Sequence, residues 1–123
     1  MFSGLMYHVE SYAQAPPRAV FADVIAGAIL AEELGFDEIW FAEHHFGYHK
    51  SDMPAPMIFV THIAAVTKRI RIGTAIVVLP IHHPISIAEQ AAGLDVLCDG
   101  RLSISLIGRE VLPKLRVPLK MKR

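Results

Sequence analysis

The sequence predicts an α/β fold in which parallel strands and helices alternate in βαβαβαβ order. Three observations predict it. Short apolar runs of strand length recur along the chain, segments of helical length and periodicity separate them, and the strand runs are apolar throughout rather than alternating. A continuously apolar strand is buried on both faces, as in a parallel sheet covered by helices. The 123 residues are 53% apolar and 20% charged, a composition that supports one globular core.

Each element follows from its residues. Residues 2–7 form a first strand, ended by a polar, Pro-containing stretch over 8–17. Residues 18–34 form a helix: Val20, Val24, Ala28 and Ala31 recur at spacings of four, four and three, while Arg18, Asp23, Glu32 and Glu33 supply a solvated face. Pro17 suits its first turn and Gly35 its C-terminal cap. A second strand spans 36–42. The Ala- and β-branched-rich segment 55–67 is a second helix, 70–78 a third strand, and 84–97 a third helix that begins with Pro84 and ends near Gly100. Residues 101–107 form the fourth strand.

Both an open doubly wound sheet and a closed eight-stranded barrel accept this order. The turns favour the barrel. No Gly-rich phosphate fingerprint follows the first strand, where His8-Val9-Glu10-Ser11-Tyr12 stands instead. The unusual chemistry gathers after the C-terminal ends of the strands: Tyr7 and His8, then Glu43, His44 and His45, then the run from Thr74 to Pro80, then Gly108 and Arg109. In a barrel these open onto one face. The expected architecture is therefore the N-terminal half of a (β/α)8 barrel, truncated.

Twelve basic and twelve acidic residues balance, so nucleic acid and anionic membrane are not expected partners. No apolar run reaches the ~18 residues that span a bilayer, and the first residues lack the charge pattern of a signal peptide. With the single cysteine, Cys98, this gives a cytoplasmic expectation. Six of the seven histidines fall between His44 and His83, yet no spacing sets up a tetrahedral shell, so no metal site is expected.

From residue 1 to 109 the chain resembles the bacterial luciferase-like flavin monooxygenases. The text that carries the likeness is Gly35-Phe36-Asp37-Glu38-Ile39-Trp40-Phe41-Ala42-Glu43-His44-His45-Phe46, then Arg69-Ile70-Arg71-Ile72-Gly73-Thr74-Ala75. Leu79-Pro80 through His83-Pro84, Ala88-Glu89, Leu94-Asp95 and Asp99-Gly100-Arg101-Leu102 continue it in register.

The resemblance implies a barrel that binds reduced FMN, or alternatively a deazaflavin, and uses O2 to oxidise a small-molecule substrate. It places the catalytic histidine at His44, with Glu43 and His45 beside it. It implies a kinked strand end, sometimes with a non-proline cis peptide, at Thr74, Ala75 and Ile76 against the flavin ring. Arg109 resembles the arginine that approaches the flavin phosphate.

After Ile107 the sequence departs from that pattern. Gly108-Arg109-Glu110 replaces Gly-Arg-Gly, and residues 110–123 form an atypical basic tail with Lys114, Arg116, Lys120, Lys122 and Arg123, which reads as a truncated or frameshifted end. Domain 1–109 is then a partial barrel, with edges that call for a homo-oligomer or a complementing C-terminal half. Besides a monooxygenase, the sequence allows a non-catalytic flavin-binding or self-associating module, or an inactive remnant.

Overall fold

A computed structural model of the chain describes residues 2–10, 15–46 and 53–107. The elements are β1 (Gly4–Tyr7), α1 (Pro17–Glu33), β2 (Glu38–Phe41), α2 (Pro56–Val66), β3 (Arg71–Val78), a single 3-10 turn (Leu79–Ile81), α3 (Pro84–Leu97) and β4 (Leu102–Ile107). All seven expected elements are present, in the expected order.

The four strands form one parallel sheet in the order β1-β2-β3-β4. This order distinguishes the two candidate architectures. A doubly wound sheet reverses direction at a switch point, whereas a barrel adds each strand to the same side of the last. Here there is no reversal among the described strands.

Helix α1 begins at Pro17, whose missing N–H costs nothing in a first turn, and closes at Gly35 with φ +88°. The N–H groups of Gly35 and Phe36 turn back onto the carbonyls of Glu32 and Ala31 at 3.2 and 3.0 Å. Its buried residues are Val20, Val24, Ala28 and Ala31, the stripe expected from the sequence.

The strands are shorter at their starts than their apolar runs. β1 begins at Gly4 because Ser3 is bound elsewhere, donating its N–H and hydroxyl to the Asp37 carboxylate at 2.7 and 3.2 Å. That bond fixes the entry to β2 and delays it to Glu38.

The core lies between the sheet and the helices. Phe41 stands edge-on to Phe59 of α2 at 5.1 Å and stacks with Tyr7 of β1 at 6.0 Å, and Phe59 meets Phe21 of α1 at 5.4 Å. Ile39, Ile72, Val60, Ile63 and Ile70 around them are fully buried. Side chains alternate across the sheet, so Met6, Trp40 and Arg71 lie on its other face. Met6 is 53% exposed. The Trp40 ring lies over Gly73, where an added Cβ would collide with it.

Two side chains tie the helix ends to the next strands. Glu32 accepts the N–H groups of Lys68, Arg69 and Ile70 at 2.6–3.0 Å, closing the turn between α2 and β3. Arg101, at the mouth of β4, donates to the carbonyls of Ala64, Thr67, Ile70 and Cys98 and to the Thr67 hydroxyl at 2.9–3.1 Å. These clamps lie at the N-terminal ends of the strands, which leaves the C-terminal ends for function.

Candidate functional site

The C-terminal edge of the sheet brings His45 to the buried carboxylate of Glu43 and Ile76 to the Glu43 backbone. Glu43 follows β2, and its side chain is 0% exposed. One carboxylate oxygen, Oε1, lies 2.5 Å from His45 Nε2 and 2.6 Å from His82 Nε2. The other, Oε2, accepts the N–H of Val78 at 2.8 Å. The Glu43 backbone N–H donates to the Ile76 carbonyl at 3.3 Å. One residue thus joins the ends of β2 and β3 to the turn that follows β3.

Burial pushes the Glu43 carboxyl up, but hydrogen bonds from His45, the Val78 N–H and His82 outweigh it and hold it below the usual glutamate range. Glu43 is therefore an anion at neutral pH. An anion can only accept, so each ring nitrogen facing it is a donor N–H. This leaves Nδ1 of each ring for other partners.

Alternation beyond β2 separates the three consecutive candidates. Glu43 and His45, two apart, meet each other, whereas His44 points elsewhere and is exposed. The His44 N–H is fixed on the Met53 carbonyl at 3.0 Å, and its ring lies 5.8 Å from that of His8, which follows β1. His8 is also exposed. The rim therefore carries two neighbouring imidazoles from adjacent strand ends. Tyr7, by contrast, directs its hydroxyl toward Gly27 of α1, away from this rim.

At the end of β3, the peptide bond between Ala75 and Ile76 is cis. The pairing with β4 shifts at the same place: Ala75 pairs with Ser105 and Val77 with Leu106, so Ile76 is skipped. The shift falls between Ala75 and Val77, beyond the regularly paired Thr74. Thr74 itself is buried on the helix side, paired with Phe41, and its hydroxyl has no hydrogen-bond partner. Ala75 and Ile76 are the half-buried members of the segment. Arg109 and the tail over 110–123 lie outside the described residues.

His82 was not singled out by its spacing. It is 39 residues from Glu43 and reaches it only because the 3-10 turn after β3 folds back, with the His82 N–H on the Leu79 carbonyl at 3.0 Å. The signal available was its place just beyond a strand end, where the other candidates also fall. Glu43, His45 and His82 together offer three donor atoms within 4.8 Å of one another. Ligands around a tetrahedral first-row ion stand about 3.3 Å apart, so separations of 2.5 and 2.6 Å are those of hydrogen bonds.

A family described as luciferase-like monooxygenase matches residues 2–109. The chain belongs to the luciferase-like monooxygenase family. Among curated members, the oxygenase component of a flavin-dependent trigonelline monooxygenase from Acinetobacter baylyi is 33% identical over 103 residues, covering 83% of this chain and 28% of that protein. The alkanal monooxygenase alpha chain of Photorhabdus luminescens is 34% identical over 77 residues, covering 63% and 21%.

Among solved structures, the oxygenating constituent of a 3,6-diketocamphane monooxygenase from Pseudomonas putida, in complex with FMN, superposes with a TM-score of 0.81. It is 25% identical, and the match covers 87% of this chain and 29% of that one. The chain thus spans under a third of the length of these luciferase-like relatives. No helix among the described residues is long and apolar enough to cross a membrane.

Proposed function

We propose that this chain supplies the flavin-facing part of a luciferase-like monooxygenase site, which uses reduced FMN and O2 to oxidise a small organic substrate. The observation that carries the reading is the convergence, at one C-terminal sheet edge, of the exposed His44 with the Ala75–Ile76 bulge. That edge is where barrel enzymes hold their substrates.

The residues present fit a flavin. Ile76 stands outside the β3–β4 register and Ala75 adds only a methyl group, so a strip of backbone is open to a flat ring with polar edges. Ala75 and Ile76 would line that ring, with Thr74, buried on the helix side, backing the strand behind them, and Arg109 would meet the phosphate, a role suited to a planar fork of donors. A deazaflavin offers the same ring shape and is the alternative cofactor.

When bound, the flavin supplies the oxygen chemistry. The chain's own residues position it and control protons. His44, exposed at the rim, is the imidazole placed to hold or deliver a proton there. Glu43 acts through His45 rather than touching a ligand, because its side chain is buried.

The family's closed barrel has eight strands, and four are described here. The exposed Met6 and the half-buried Trp40 on the uncovered face mark where the remaining strands would pack. A second copy of this chain or a complementing C-terminal half would supply them, in a cytoplasmic setting.

Stopped-flow reoxidation of reduced FMN, on protein whose mass is set by light scattering, tests the activity. The expected result is a reoxidation rate that changes saturably with the chain and returns toward that of free flavin in His44→Ala. Saturable binding with an unchanged rate would replace catalysis with a flavin-holding module. Reoxidation identical to that of free FMN, without binding, would overturn both.

A further inference from the structure

We propose that His82 is a positioning residue of this site, acting on His45 through the Glu43 carboxylate oxygen that the two imidazoles share. The inference rests on the reading that the Glu43 and His45 edge is functional, and it adds a residue that the family likeness did not assign.

The geometry carries it in three steps. First, both rings use Nε2, and both reach the same atom, Oε1, at 2.5 and 2.6 Å. An acceptor shared by two donors gives each a weaker bond than it would give one alone. The strength of the His45 bond, and with it the electron density on the His45 ring, is therefore set by whether His82 is in place.

Second, the carboxylate has no freedom to choose between them. Oε2 is tied to the Val78 N–H and the side chain is fully enclosed, so Oε1 stays within reach of both rings. Third, both rings are about a quarter exposed, at 26% and 27%, so each is anchored at Nε2 without being shut off from solvent. The buried carboxylate makes Nε2 of both rings a donor N–H and leaves Nδ1 of each out of that contact.

His82 is itself held from its own side. It follows the 3-10 turn Leu79–Ile81, and it precedes His83 and Pro84 at the start of α3. A shift of that turn or of α3 would be read by Glu43 and passed to His45, which links the loop after β3 to the loop after β2.

Proton and nitrogen-15 NMR of the histidine rings in the whole chain tests this without any flavin. Two downfield, slowly exchanging ring N–H protons are expected, from His45 and His82. His82→Ala should remove one and move the His45 proton further downfield, because Oε1 then serves a single donor. His82→Gln, whose amide N–H takes the place of Nε2, should return the His45 proton toward its original position.

Unchanged backbone resonances of β1 would show that the variants fold. A His45 proton indifferent to both substitutions would overturn the proposal, as would saturable zinc binding that abolishes both ring protons at equal stoichiometry. Failure of flavin to bind, with these resonances behaving as described, would instead remove the proposed function and leave the His82 linkage standing.

Discussion

Replacing Arg101 by alanine is expected to destabilise the chain by about 3 kcal/mol, the largest loss from any single side chain outside the aromatic core. Its guanidinium donates five hydrogen bonds, four of them to main-chain carbonyls. Two of those carbonyls, of Ala64 and Thr67, belong to the end of α2, where no helical partner remains. Alanine would leave them short of donors in a half-buried place, and β4 would lose its tie to the turn before β3. Arg101→Lys keeps the charge but not the fork, so it should recover less than half of the loss. Urea denaturation of the three proteins reads these differences directly. A loss under about 1 kcal/mol in Arg101→Ala would show that the carbonyls are satisfied by water instead.

Glu43 is the second position where a large effect is expected, and here the effect depends on pH. Glu43→Ala removes the acceptor for the Val78 N–H and for two imidazoles at once. A loss of about 2–3 kcal/mol at neutral pH follows from leaving those donors unpaired. Because the folded state holds Glu43 below its usual range, its contribution is present above the unfolded value, about pH 4.3, and disappears as pH falls through the folded value. Glu32 and Asp37 are lowered in the same direction, the first by the N–H groups of Ile70, Arg69 and Lys68 against the opposing effect of burial, the second mainly by the Ser3 N–H. The wild type should therefore lose stability on acidification, and the gap between it and Glu43→Gln should narrow as pH falls below the unfolded value of about 4.3. A constant gap across that window would mean that Glu43 is not held as a bonded anion.

The helices were legible because burial repeats with the helical period, and the same four residues of α1 face the core as the periodicity places there. The strand starts were less legible. Phe36 and Asp37 look like part of β2, but Phe36 is captured by the cap of α1 and Asp37 by Ser3, a contact 34 residues away that no local pattern reports.

The site divides in the same way. The adjacency of Glu43, His44 and His45 is plain in the sequence, but not their division of labour. Only the alternation beyond β2 makes Glu43 a buried anchor, His45 its partner and His44 the exposed group. The bulge at Ala75 and Ile76 was indicated by the family likeness and by no property of the residues themselves, since nothing in two apolar side chains specifies a break in register. His82 stayed hidden because its bond to Glu43 depends on how the turn after β3 folds back.

The measurement that most directly tests the account is a fluorescence titration of FMN, oxidised and then reduced under anaerobic conditions, with the whole chain and with His44→Ala. Saturable binding to the wild type, weakened about tenfold or more by the substitution, is the expected result, corresponding to about 1.4 kcal/mol at the rim. Absence of saturable binding up to about 500 µM, where even a dissociation constant in the 0.1 mM range would show, would contradict the claim that this strand edge holds a flavin.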